Sequence, residues 1–295
     1  MRSARSDALV TGSVEPLPIG GFARTFTGVT IDAVFAAATR SGIRDLQLNL
    51  SIAGLETVPA QVPDEIVKRT LASSMLHKAS MRALSGSCNI SHPDSEVRSE
   101  YVRRLGVLAA ICATLGIPVL TLSTGTRDTD DLWRAHPDNQ TREAHRDLRL
   151  SLRAALQLTA DTGVTLAFEP EAANVIQTAD QALDLLDELA DPRLAVVFDL
   201  ANLVGHAPAE AHDEILHHAA MRLGGRIALV HAKDIAANRE VVPPGRGIID
   251  FTQYLHTLLH VADFTGPVIM HGLTAPDVPA ALAHLRAARA AALAR

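Results

Sequence analysis

The chain has 295 residues, of which 47% are hydrophobic and 20% charged, and a formal charge of −6. That is enough apolar material for one large core. No run reaches the ~18 consecutive apolar residues that span a bilayer. The opening MRSARSDALVTGS lacks the apolar stretch of a secretory leader, and an acidic chain without a Lys/Arg stripe is a poor surface for nucleic acid. The expectation is a cytoplasmic protein with neither membrane nor nucleic-acid partners. Cys88 and Cys112 do not form a CxxC pair and read as small buried hydrophobes in a reducing compartment.

Taken in order, short apolar runs alternate with amphipathic stretches. A first strand is expected in ALVTGSV (8–14) or the segment after it, where Gly, Pro and Thr blur the pattern. Thr30 then caps a helix over IDAVFAAATR. The strand IRDLQLNL (43–50) follows, then MRALSGSC (81–88), and Asp94 opens the helix SEVRSEYVRRLGVLAAICATLG. Further strands are PVLTLST (118–124) and VTLAFE (164–169), before Thr178 caps ADQALDLLDELA. LAVVFD (194–199), RIALVH (226–231) and PVIMH (267–271) complete the series. Gly116 and Gly163, each shortly before a strand, read as helix C-cap signals. Strands alternating with helices imply a parallel sheet covered on both faces. Eight such units in one domain over 1–295 predict an α/β fold, a single (β/α)8 TIM barrel. An open doubly wound sheet is the alternative, although no GxGxxG is present to support a dinucleotide site.

In a barrel the C-terminal strand ends form the mouth of the active site. Polar residues collect at those ends: Asn49, Asn89 with His92, Thr124 with Arg127, Glu169 with Glu171, Asp199 with Asn202, His231 with Lys233 and Asp234, and His271. Any one of them is ordinarily a helix cap, but seven consecutive ends are hard to explain that way. Glu169, Asp199, His231 and His271 together offer carboxylates and imidazoles for a divalent cation, and this donor set suits Mn, Co, Mg or Zn. Without a cation, Glu169 and Asp199 are like charges in a partly desolvated cavity. The competing reading is a salt-bridge network with Lys233, Arg127 or Arg246.

The strand-end series Glu169, Asp199, HAKD (231–234) and PGRGIIDF (244–251) resembles the xylose isomerase-like barrel superfamily of sugar isomerases and epimerases. LSGSCNISHPD (84–94), STGTRD (123–128) and HPDN (136–139) are similar to stretches in its bacterial members, and the resemblance runs roughly over 30–290. It implies a metal site in which Glu169 is the strand 5 glutamate, Asp199 the strand 6 aspartate and His231 the strand 7 histidine. The fourth ligand departs from the family. Epimerases end strand 8 with a glutamate that binds metal and moves a proton, whereas this chain offers His271. Asn202 likewise stands where epimerases with a DxxH motif carry a substrate-binding histidine.

The chemistry so implied is proton abstraction next to a carbonyl, through an enediolate stabilised by the metal. Glu169 then serves as ligand and base. His271 serves as fourth ligand or as second acid/base, since histidine titrates near neutrality. Asn89, His92, Arg127, His136, Asn174, Asn202, Lys233 and Arg246 are expected substrate contacts, and Glu171 is a structural or supporting acid. The primary expectation is a divalent-metal-dependent isomerase or epimerase of a sugar or keto-sugar, with a carbohydrate as its small-molecule partner. A lyase on the same scaffold, acting on oxidised sugars or glycosides, is the alternative. A nucleic-acid role like that of endonuclease IV is weakest, because its trinuclear site needs more ligands. A homo-oligomer is compatible with such a chain.

Overall fold

A computed structural model describes residues 16–28, 30–205 and 207–295. Strands β1 (Ile19–Phe22), β2 (Asp45–Leu48), β3 (Ser80–Ser85), β4 (Val119–Ser123), β5 (Thr165–Glu169), β6 (Leu194–Asp199) and β7 (Ile227–Ala232) run parallel. A short antiparallel pair follows, β8 (Asp234–Ile235) with β9 (Val241–Val242). Then β10 (Val268–Met270) pairs with both β7 and β1 and closes the ring. The closed barrel excludes the open doubly wound sheet.

The seven clear strand runs all form strands, each within three residues of the expected ends. The blurred one is Ile19–Phe22, in the segment after ALVTGSV; residues 8–14 lie outside the described residues. Its glycines have a steric cause. A Cβ on Gly20 would stand 2.5 Å from the Asp45 carbonyl oxygen and 2.7 Å from Ile269 Cδ1. Position 20 therefore has no room for the β-branched residues that mark the neighbouring strands. Gly20→Val is expected to cost about 1–3 kcal/mol or more through overpacking, read as a lower denaturant midpoint at unchanged slope.

Helices α1 (Ile31–Arg40), α2 (Asp64–His77), α3 (Ser95–Leu115), α4 (Arg142–Leu158), α5 (Ala179–Leu189), α6 (Leu200–Val204), α7 (His212–Leu223), α8 (Phe251–His260) and α9 (Val278–Leu293) complete the described elements. The three expected caps are in place: Thr30 accepts from Ala33 N, Asp94 from Glu96 N and Thr178 from Gln181 N. Gly116 caps α3 in the left-handed region, but α4 ends earlier than its glycine suggests. Thr159 is the C-cap of α4, and Gly163 turns the chain beyond it. Among the described residues no helix is long and apolar enough to cross a membrane.

Alternation along the strands separates two cores. Leu84, Leu120, Phe168, Val196, Phe198 and Val230 belong to the large core shared with the helices. Ala83, Val119, Ala167, Ala195, Val197, Leu229 and Ile269 form a small separate core inside the barrel. Two residues further along each strand, the same parity yields Ser85, Thr121, Glu169, Asp199, His231 and His271, all of which line one cavity at the barrel mouth.

Candidate metal centre and active-site cavity

The cavity has a volume of about 400 Å³. At its base Glu169, Asp199 and His231 each turn a ligand atom inward, and these atoms all lie within 4.8 Å of one another. His231 Nδ1 is 3.4 Å from Glu169 Oε2 and 3.8 Å from Asp199 Oδ2.

The other ring nitrogen of His231 is fixed from below. Gln47 Nε2 donates to Ser85 Oγ at 3.1 Å, which turns Gln47 Oε1 toward His231 Nε2 at 2.9 Å. Nε2 therefore carries the proton in the neutral ring, and the Nδ1 lone pair faces two carboxylates. That arrangement is repulsive unless a proton or a cation sits between them. Gln47→Leu is accordingly expected to weaken divalent-metal affinity about 10–100-fold, the usual loss when a ligand's supporting partner is removed. Competition with a chelating dye measures this.

Asp199 divides its two oxygens. Oδ1 caps α6 through Ala201 N and Asn202 N, at 3.0 and 3.4 Å. Oδ2 is buried without a hydrogen bond and has Lys233 Nζ 3.0 Å away as an ion-pair partner. The helix-cap role is thus met by one oxygen, and the other, paired with Lys233, is the candidate ligand atom. Asn202 ties the group together: its Nδ2 donates to Glu169 Oε1 at 2.6 Å and its Oδ1 accepts from Lys233 Nζ at 2.5 Å. Of the three cations in the competing salt-bridge reading, Lys233 alone reaches the carboxylates. Arg127 pairs with Asp147 at 2.9 Å and Arg246 with Asp277 at 3.4 Å.

The electrostatics follow from burial and crowding. Burial acts to raise Glu169, but His231, Lys233 and His271 outweigh it and hold the carboxyl at about 2. At Glu171 the pull of Lys233 and His231 is too weak to offset the opposing effects. Burial, followed by the charge on Glu169, pushes it up to about 7. Burial also raises Asp199, against the pull of Lys233. Lys233, though buried, is held above the usual lysine range by Asp199, Glu169 and Glu171.

His271 lines the cavity but is not one of the three converging ligands. Its ring stacks between Phe22, at 4.4 Å between centroids, and His231, at 4.1 Å. Its Nε2 is buried without a partner. Burial, with His231 beside it, holds the ring well below the usual histidine range. The expectation of near-neutral titration took no account of this burial.

Of the expected substrate contacts, only Asn202 and Lys233 line this cavity. Asn89 accepts from Thr126 N at 2.9 Å and donates to Asp128 O at 3.0 Å, which braces two loops. His92 accepts from Asp94 N, and His136 caps a short turn by accepting from Asp138 N. Arg127 is buried against Asp147 and Ser91 O, while Asn174 is buried against Ser123 and Gly125. Arg246 is exposed and points to Asp277. Neither Lys233 nor Arg246 pairs with Asp234, whose carboxylate instead accepts from the backbone N–H groups of Ile235, Gly245, Gly247 and Ile249. Cavity-lining residues that the run ends did not single out include Gln47, Phe22, Arg24 and Trp133. Gln47 alone had a local signal, as a polar residue inside the apolar strand DLQL.

The closed parallel barrel carries, at its strand ends, a cluster of two carboxylates and an imidazole that could hold a metal ion. The chain belongs to the xylose isomerase-like TIM barrel family, which it matches over residues 36–290. Among curated proteins it is similar to the L-ribulose-5-phosphate 3-epimerase UlaE of Escherichia coli, with 26% identity over 196 residues. That match covers 65% of this chain and 64% of the relative, somewhat less than two thirds of the relative's length. Among solved structures, the 3-keto-D-glucoside 4-epimerase YcjR of E. coli superposes with a TM-score of 0.73 at 18% identity, over 92% of this chain and 99% of that one. The IOLI protein, solved with a bound zinc atom, superposes with a TM-score of 0.71 at 15% identity, over 94% and 98% of the two chains.

Proposed function

We propose that the protein is a divalent-metal-dependent isomerase or epimerase of a sugar or keto-sugar. The observation that carries this reading is the trio Glu169, Asp199 and His231, with the His231 Nδ1 lone pair turned toward both carboxylates by Gln47. Two carboxylates and an imidazole suit Mn, Co, Mg or Zn, and His271 is the fourth candidate ligand. The UlaE and YcjR likenesses support carbohydrate as the substrate class, and the zinc-bound neighbour supports a metal.

When bound, a divalent cation supplies Lewis-acid polarisation of a substrate carbonyl and its neighbouring oxygen. The remaining work belongs to side chains. Glu169, held ionised, accepts the proton next to the carbonyl, and Asn202 fixes the carboxylate through Oε1. Lys233 keeps its charge beside both carboxylates and limits their mutual repulsion. A second acid/base is needed to return the proton, and Glu171 and His271 both line the cavity for it. Glu171, partly protonated at neutral pH, is the better donor.

The same feature favours a second reading. A protonated Glu171 also serves to protonate a leaving hydroxyl or aglycone, which is a lyase reaction on an oxidised sugar or glycoside. Incubating the metal-loaded protein in D2O with keto-sugars and 3-oxo-glycosides separates the two. Deuterium next to the carbonyl with the carbon skeleton intact means epimerisation or isomerisation, and a new double bond or freed aglycone means elimination. If no substrate in the panel exchanges, and Glu169→Gln changes nothing, the catalytic reading is overturned.

A further inference from the structure

Beside the catalytic cavity lies a second chamber of about 540 Å³. The two share Ser87 and Leu132 in their walls, and residues 56–58 pass from one to the other, with Thr57 lining the first and Glu56 and Val58 the second. Both volumes are within the ~300–1,000 Å³ typical of small-molecule sites. The second chamber therefore adjoins the space over the Glu169, Asp199 and His231 trio.

The chamber has a definite chemistry. His92 uses Nδ1 to accept from Asp94 N, and its Nε2 has no hydrogen-bond partner among the described residues. The Tyr101 hydroxyl, on α3, also has none among them. Its one arginine, Arg104, is already paired with Glu100 at 2.7 Å and Glu56 at 2.9 Å. Asp130 and Asp131 add further negative charge to the wall. An anionic group such as a phosphate would be repelled here. A neutral, hydroxyl-rich group can donate to the carboxylates and also satisfy the imidazole and phenol.

We infer that this chamber is a subsite for a second sugar ring, so the substrate is a two-ring glycoside whose reacting ring occupies the metal cavity. The inference rests on the proposed carbohydrate chemistry and adds the substrate class. It also gives His92 a role outside the catalytic cavity, in ligand recognition.

The test compares 3-oxo-cellobiose, oxidised on its non-reducing ring, with methyl 3-oxo-glucoside and D-ribulose 5-phosphate. Deuterium exchange is followed with the metal-loaded wild type and with Tyr101→Phe and His92→Ala. The two-ring compound is expected to have a KM roughly tenfold below that of the methyl glycoside at similar kcat. Each variant should raise the two-ring KM roughly three- to tenfold, the worth of one hydrogen bond, and leave the methyl glycoside unchanged. Equal KM values for one and two rings, a phosphorylated ketose as the best substrate, or variants that shift all substrates alike would overturn the subsite. If nothing exchanges, the proposed reaction fails on its own, and calorimetric binding of cellobiose against glucose judges the chamber. Preferential cellobiose binding that Tyr101→Phe weakens supports it; no preference overturns it.

Discussion

Asp199→Ala is expected to abolish stoichiometric metal binding and catalytic proton exchange together. The substitution removes Oδ2, one of three converging ligand atoms, and leaves Glu169 and His231 as an incomplete donor pair. It also takes away the nearest carboxylate of the buried Lys233, and removing one partner of a buried ion pair strands the other charge. A third loss is the α6 cap through Oδ1, worth about 1 kcal/mol. Asp199→Asn separates these effects, because asparagine can still cap the helix and fills the same volume but is a far weaker metal ligand. Metal content of both purified variants by elemental analysis is the deciding measurement. If Asp199→Asn retains a full equivalent of metal and full activity, the aspartate is a helix cap and ion-pair partner only.

How much of this was legible in the sequence varies with the kind of residue. Strands such as LAVVFD and VTLAFE announce themselves because the sheet is buried on both faces, so alternation disappears and continuous apolar runs remain. IGGF does not, since close contacts around Gly20 exclude the residues by which strands are recognised. For the trio, position within the strand decided the outcome. Glu169, Asp199 and His231 lie within their strands at the parity of the inner core, where the pleat fixes the direction of the side chain. Asn89, His92, Arg127, His136 and Asn174 lie beyond strand ends, in loops that bond to one another or to helix starts. Composition cannot distinguish a loop side chain that faces the mouth from one that stitches the loop. Gln47 was hidden for another reason: its value depends on His231, 184 residues away in the chain.

The second large effect concerns proton transfer, where Glu171→Gln and His271→Ala are expected to behave differently. Glu171→Gln should retain metal and lower kcat about 10²–10⁴-fold, the range for removing a positioned acid or base. The pKa rise at Glu171 comes first from burial and only second from Glu169. The kcat profile of the wild type should therefore carry an ionisation that the Gln variant lacks. His271 is held neutral well below the usual histidine range and makes a poor acid at neutral pH. His271→Ala should consequently weaken metal binding, by loss of a candidate ligand and of the ring stacked on His231, while kcat at saturating metal is largely retained. Linkage gives an independent check on the metal-free protein. A histidine kept neutral in the fold but free to protonate at about 6.5 when unfolded makes the unfolded state bind more protons below that pH. Its contribution to stability is then present above about 6.5 and lost as pH falls. His271→Phe, which keeps a ring stacked on His231, should flatten that acid-side decline in urea melts between pH 7 and 5. If instead His271→Ala keeps full metal affinity and loses kcat by the larger factor while Glu171→Gln is unaffected, the second acid/base is His271 and the assignment made here is reversed.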